Sequence, residues 1–152
     1  MGIAPSLGYA CGDNKTGVCR ILERYAYRFF AVSPLIIYAL TFCFAPLGVS
    51  CFVPSSSPVF SLAVSGMRIY GLGFLFAGIN IFSAVRMMAY GKGYFSGVIT
   101  FFRSFALLIL FLAVLPRVWG ITGIWLAVPA AEFLTLFVSF PFLRLKPEGT
   151  MY

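Results

Sequence analysis

Phe29–Met67 reads FFAVSPLIIYALTFCFAPLGVSCFVPSSSPVFSLAVSGM and contains no charged side chain. Crossing about 30 Å of hydrocarbon takes roughly 20 apolar residues, so a membrane-spanning helix must lie within it. The cluster Val53-Pro54-Ser55-Ser56-Ser57-Pro58 supplies a turn that divides the stretch. One span therefore runs from about Phe29 to Val53. A second runs from about Phe60 to Val85, is interrupted by Arg68, and ends at Tyr90-Gly91-Lys92-Gly93.

Further along, two more apolar runs follow. About Phe95 to Leu115 carries Arg103 and is expected to stop at Pro116-Arg117. Ile121 to Leu143 holds Glu132, is expected to kink at Pro129 and close at Pro141, and has Arg144 and Lys146 beyond it. The whole composition agrees: 61% of residues are hydrophobic and 10% charged, with a mean hydropathy of +0.99, where soluble domains carry about a quarter charged residues. Neither the alternation nor the turn spacing of a barrel is present, so the expected fold is all-α, an integral membrane bundle of four helices.

Lys and Arg in short loops stay on the cytoplasmic side. Lys15, Arg20, Arg24 and Arg28 precede the first span, Arg86 and Lys92 lie between the second and third, and Arg144 and Lys146 follow the fourth, whereas the two other loops offer only Arg117. Both termini are thus expected in the cytoplasm of a multi-pass protein of the inner (plasma) membrane. Tyr25, Tyr27, Tyr90 and Tyr94 would mark the inner interface, and Trp119 and Trp125 the outer one. The net charge of +7 is mostly topology. A nucleic-acid partner is excluded, because it would need those cations gathered on one soluble face.

Residues 1–28 form a cytoplasmic lead-in, and 144–152 a cytoplasmic tail. Within the lead-in, Asp13 to Arg28 is expected to be a short helix with Asp13 or Asn14 as N-cap. Arg20, Arg24 and Arg28 share one face of it, a pattern that attracts anionic lipid or simply flanks a span. The opening residues lack the basic-then-apolar pattern of a secretory signal. Met1-Gly2 with Ser6 formally fits an acylation pattern in which Pro5 is an awkward member. Cys11, Cys19, Cys43 and Cys51 show no C-x-x-C or zinc spacing and read as small apolar residues. With no histidine in the chain, a His-based metal or nucleophile–base site is excluded, and no metal or cofactor is expected.

Four polar residues inside the spans carry the functional expectations. A charge at membrane depth costs several kcal/mol unless protonated, paired or hydrated, which makes an intramembrane acid a functional-site candidate. Glu132 lies eleven residues past Ile121, about 17 Å below the outer surface, and Arg68 eight past Phe60, about 12 Å below it, so an arginine side chain could bridge them. Arg103 approaches Glu132 from the inner side by similar arithmetic. Asn80, mid-span, either lines a pathway or bonds across helices. Gly73 and Ala77, with Gly66 and Gly78 nearby, form a small-residue packing face.

Met67-Arg68-Ile69-Tyr70-Gly71-Leu72-Gly73-Phe74, Phe76-Ala77-Gly78-Ile79-Asn80, Gly91-Lys92-Gly93, and Gly120-Ile121-Thr122-Gly123-Ile124-Trp125-Leu126-Ala127-Val128-Pro129 with Glu132-Phe133 occur in this order. Together they resemble the C-terminal end of the multidrug and toxin extrusion (MATE) family. Pro5, Tyr9 and Gly12 fit the motif closing that family's eighth span, although Ala10 and Cys11 depart from it. The resemblance implies the last four spans of a twelve-helix, two-lobe antiporter whose first seven spans lie outside this sequence. Such a protein exports lipophilic or cationic small molecules in exchange for H+ or Na+. Its other partners would be membrane lipid and the missing N-terminal spans.

Under that reading Glu132 carries a proton or cation, or acts as an electrostatic lock; otherwise it ties helices together. The other readings are a small four-span structural or regulatory membrane protein and a related flippase moving a lipid-linked sugar. An enzyme is not expected, because no paired acids or nucleophile–base set is present. The 18 Phe and five Met could line a cavity that accepts varied lipophilic cations by repacking, while most would face lipid.

Overall fold

The computed structural model describes residues 16–144, and these are all-helical, with no strand among them. Helix α1 spans Thr16–Ser50, α2 Val59–Ala89 and α3 Gly93–Phe101; a π-turn at Phe102–Ala106 joins α3 to α4, Leu107–Arg144. Three segments are long and apolar enough to cross a membrane: Arg20–Ser50, Val59–Ala89 and Gly93–Leu143. The chain is accordingly a multi-pass membrane protein. Exposed Phe44, Leu47, Phe105 and Phe137 on its outer faces agree with apolar surroundings.

Each boundary has a local cause. Past α1, Phe52 and Val53 both donate backbone hydrogen bonds to the Val49 carbonyl, and the Ser57 hydroxyl accepts the Val59 N–H at 3.3 Å, so the Pro/Ser turn is tightly tied. At the end of α2, Lys92 N–H reaches the Met87 carbonyl at 2.9 Å and Gly91 N–H the Met88 carbonyl at 3.1 Å. This six-to-one, five-to-two pair closes the helix with Gly91 at φ 71°, a left-handed conformation that glycine adopts without a Cβ penalty.

The long apolar stretch of α3 and α4 is broken at Gly120, whose φ of 57° and ψ of −135° are non-helical. The chain reverses there. Arg103 and Glu132 touch although 29 residues separate them, a distance of about 43 Å along a straight helix. Phe95 and Phe142 have ring centroids 5.2 Å apart. A Cβ on Gly123 would lie 2.2 Å from the Leu115 carbonyl oxygen, so the two arms meet backbone to backbone near the bend.

Several boundary expectations change. The lead-in is not a separate helix, since α1 runs unbroken from Thr16 through Arg28 into the apolar region. Pro116, Pro129 and Pro141 all sit within helix. Proline removes one backbone hydrogen bond, a loss that packed membrane helices accommodate, whereas the reversal needs a φ that only glycine takes easily. Trp125, expected at the outer interface, packs its indole over Gly66, where a Cβ would lie against the ring. The N-caps proposed at Asp13 or Asn14, the motif residues Pro5, Tyr9, Ala10, Cys11 and Gly12, the acylation pattern, Lys15, and the tail beyond Arg144 lie outside the described residues. So do the side chains of Cys19 and Arg144.

Helix α2 is the spine. Gly71 and Gly78 face α1, where added Cβ atoms would meet Thr41 at 3.1 Å and Pro34 at 2.4 Å. Gly66 and Gly73 face residues 121–144, meeting Trp125 and Val128. Each pair is seven residues apart, the repeat that keeps one stripe of a helix against its neighbour, and small residues let backbones approach closely. Contacts pair rising numbers on α2 with falling numbers on α1, so these two helices are antiparallel. Residues 121–144 run parallel to α2, because Gly66, Gly73 and Asn80 meet Trp125, Val128 and Glu132 in turn.

Candidate functional site

At mid-height, three segments converge on Glu132. Its side chain is 9% exposed. Arg103 Nε donates to Oε1 at 2.6 Å, and Asn80 Nδ2 donates both to Oε2 and to the Glu132 backbone carbonyl, each at 2.8 Å. Asn80 belongs to α2, Glu132 to the arm after the reversal, and Arg103 to the π-turn of the arm before it. One carboxylate therefore ties three segments.

The π-turn gives Arg103 its place. Here the Leu107 N–H bonds to the Phe102 carbonyl, five residues back instead of four. Such one-residue widenings are uncommon and shift the side chains that follow them. Arg103 is 24% exposed at its side chain, so it is the more accessible partner of the pair. Asn80 Oδ1 has no hydrogen-bond partner and the residue is wholly buried. It is a vacant acceptor beside an occupied carboxylate.

Arg68 does not join this group. Its Nε donates to the Phe42 carbonyl of α1 at 3.3 Å, and its guanidinium carbon lies 4.5 Å from the centroid of the Phe42 ring. The depth argument that made it a neighbour of Glu132 fails on rotation. Arg68 is twelve residues before Asn80, about 120° around the helix, and faces α1 instead.

Below Glu132 the α2–α4 interface stays polar. Asn80, Ser83 and Arg86 on α2 and Glu132, Thr135 and Ser139 on α4 are all buried. Ser83 and Thr135 bond back to the carbonyls of Ile79 and Ala131, while the Ser139 hydroxyl has no partner. The stripe ends at Arg86, which donates to Glu23 Oε1 at 2.7 Å, to the Leu143 carbonyl at 2.7 Å and to Tyr90 Oη at 3.3 Å. Tyr90 also donates to Glu23. Just past the end of α2, burial and then the Glu23 contact push the Tyr90 phenol up to about 12.

Sequence reasoning took Arg86 as a topology marker and passed over Glu23, Thr135 and Ser139. A signal was present, since 132, 135 and 139 share one helical face and 80, 83 and 86 another, each a polar file in apolar surroundings. Cys43 and Cys51 are free and exposed. Among the described residues, no group of three or more His, Cys, Asp or Glu could hold a metal ion. No family model, curated protein or solved structure matches the chain. The family resemblance therefore rests on the quoted sequence blocks.

Proposed function

We propose that this chain forms the last four transmembrane helices of a cation-coupled efflux antiporter of the multidrug and toxin extrusion type, with both termini cytoplasmic. In this reading the 51-residue segment Gly93–Leu143 crosses twice, folding back at Gly120. With the spans that precede it in a twelve-helix, two-lobe transporter, it exports lipophilic or cationic compounds across the inner membrane in exchange for H+ or Na+. One observation carries the reading: a carboxylate buried at mid-membrane is held by an arginine on a π-turn and an amide on a third segment. An ion pair shared by separate helices is a natural lock. Uptake of a proton or cation by Glu132 would release Arg103 and loosen residues 93–119 from residues 121–144. Asn80 could keep its bond to the backbone carbonyl meanwhile.

A second reading has its own support. All three oxygens of Glu132 are occupied, as expected of a static tie in a four-span structural or regulatory membrane protein. The lipid-linked sugar flippase has no observation of its own in its favour. Glu132→Gln in a complete transporter carrying this end separates the first two: loss of exchange at normal expression is expected of the lock. Unchanged efflux would leave only the tie.

A further inference from the structure

A cleft of about 440 Å³ opens between α1, α2 and the end of α4, lined by Arg20, Glu23, Arg24, Tyr27, Phe82, Arg86, Phe140 and Leu143. Its volume is in the range of small-molecule sites. Its lining has two characters. Arg20 and Arg24 stand one helical turn apart and exposed, and among the described residues neither makes a hydrogen bond or ion pair. Arg86, across the cleft, is balanced by Glu23. Among the described lining residues, three cations and one carboxylate leave two positive charges, those of Arg20 and Arg24 at the mouth. The remaining wall is aromatic and apolar, with Phe82 buried, and Tyr27 and Phe140 exposed toward the outer surface.

We propose that this cleft binds the headgroup of an anionic phospholipid of the inner leaflet. The phosphate pairs with Arg20 and Arg24, and the start of one acyl chain lies along Tyr27, Phe82 and Phe140. Charge selects the occupant: guanidinium groups match phosphate oxygens in forked geometry. A soluble anion would gain nothing from the aromatic wall, whereas a lipid uses both surfaces. The inference rests on the membrane orientation proposed above, which puts this end of the bundle at the anionic leaflet, and not on transport.

The test is retention of phosphatidylglycerol against phosphatidylcholine by the full chain in detergent, followed by native mass spectrometry. Phosphatidylglycerol is expected to be kept preferentially, and R20Q/R24Q to weaken it roughly thirtyfold from two lost cations. R20K/R24K should keep most of the preference. R28Q, on the same helix face but outside the cleft, should change it less than about twofold. A loss of about fivefold from R28Q, the same per cation as from R20Q/R24Q, would mean diffuse surface charge and overturn the proposal. So would equal retention of both lipids, or displacement of phosphatidylglycerol by inorganic phosphate at matched concentration. Glu132→Gln should leave lipid retention intact, so failure of the transport reading would not carry over.

Discussion

Removing Arg103 should harm the bundle more than removing its partner. Glu132 is 9% exposed at its side chain and Arg103 24%, so Arg103→Gln strands a nearly dry carboxylate with only Asn80 to hold it. Breaking a buried pair costs about 3–5 kcal/mol, and the partial exposure of the arginine places this site near the lower end, about 3 kcal/mol. Glu132→Gln strands the more exposed partner, the guanidinium, which keeps a neutral amide oxygen as acceptor, with an expected loss of about 1–2 kcal/mol. The double variant has no stranded charge. It should lose about 1–2 kcal/mol, which gives a coupling of about 2–4 kcal/mol between the two positions. Reversible unfolding of the four proteins in mixed micelles, titrated with a denaturing detergent, measures each quantity. Additivity within about 0.5 kcal/mol, the behaviour of independent sites, would refute the pairing. A larger loss from Glu132→Gln than from Arg103→Gln would refute the argument from relative exposure.

Gly78→Ala would place a Cβ 2.4 Å from Pro34 Cγ and 2.5 Å from the Phe30 carbonyl oxygen. Overpacking of that kind should destabilise by about 1–3 kcal/mol in the same micelle titration. Gly97→Ala, with nothing within 4 Å in mid-helix, should instead stabilise by about 0.5–1 kcal/mol. Gly120→Ala meets no atom either, yet its φ of 57° is one that L residues rarely adopt, so a loss of about 1–3 kcal/mol is expected. Equal effects at positions 97 and 120 would contradict the bend. Tyr90 in the folded state keeps its proton to about pH 12, while the unfolded phenol ionises near 10. Its contribution to stability is therefore complete below about pH 10 and lost as pH rises toward 12. An ultraviolet titration should show one late tyrosine that Tyr90→Phe removes, and its persistence in that variant would reassign it.

The apolar runs were legible because a membrane helix advertises itself by length and by the absence of charge, and the polar exceptions stood out for the same reason. Glu132, Arg103 and Asn80 were therefore named from sequence, and they meet. Arg68 was named as well and does not, because depth in a membrane is one coordinate and rotation about the helix axis is another. The reversal falls inside the turn expected between Pro116 and Ile121, but helix continues past Pro116, because the geometry turns on the sign of φ at Gly120. Glu23 and Arg86 were separated by 63 residues, and nothing local in either stretch announces a partner. Trp125 was read by the habits of its residue type, and its packing over Gly66 has no signal local to either residue.

The parallel course of α2 and residues 121–144 has an electrostatic result. Antiparallel neighbours cancel each other's peptide dipoles, but these two bring their negative poles to the same end, each equivalent to about half an electron charge. Arg86 stands at that double pole, in the last turn of α2 and on the terminal carbonyls of Phe142 and Leu143. A neutral residue there would remove the positive charge that Arg86 places on those terminal carbonyls.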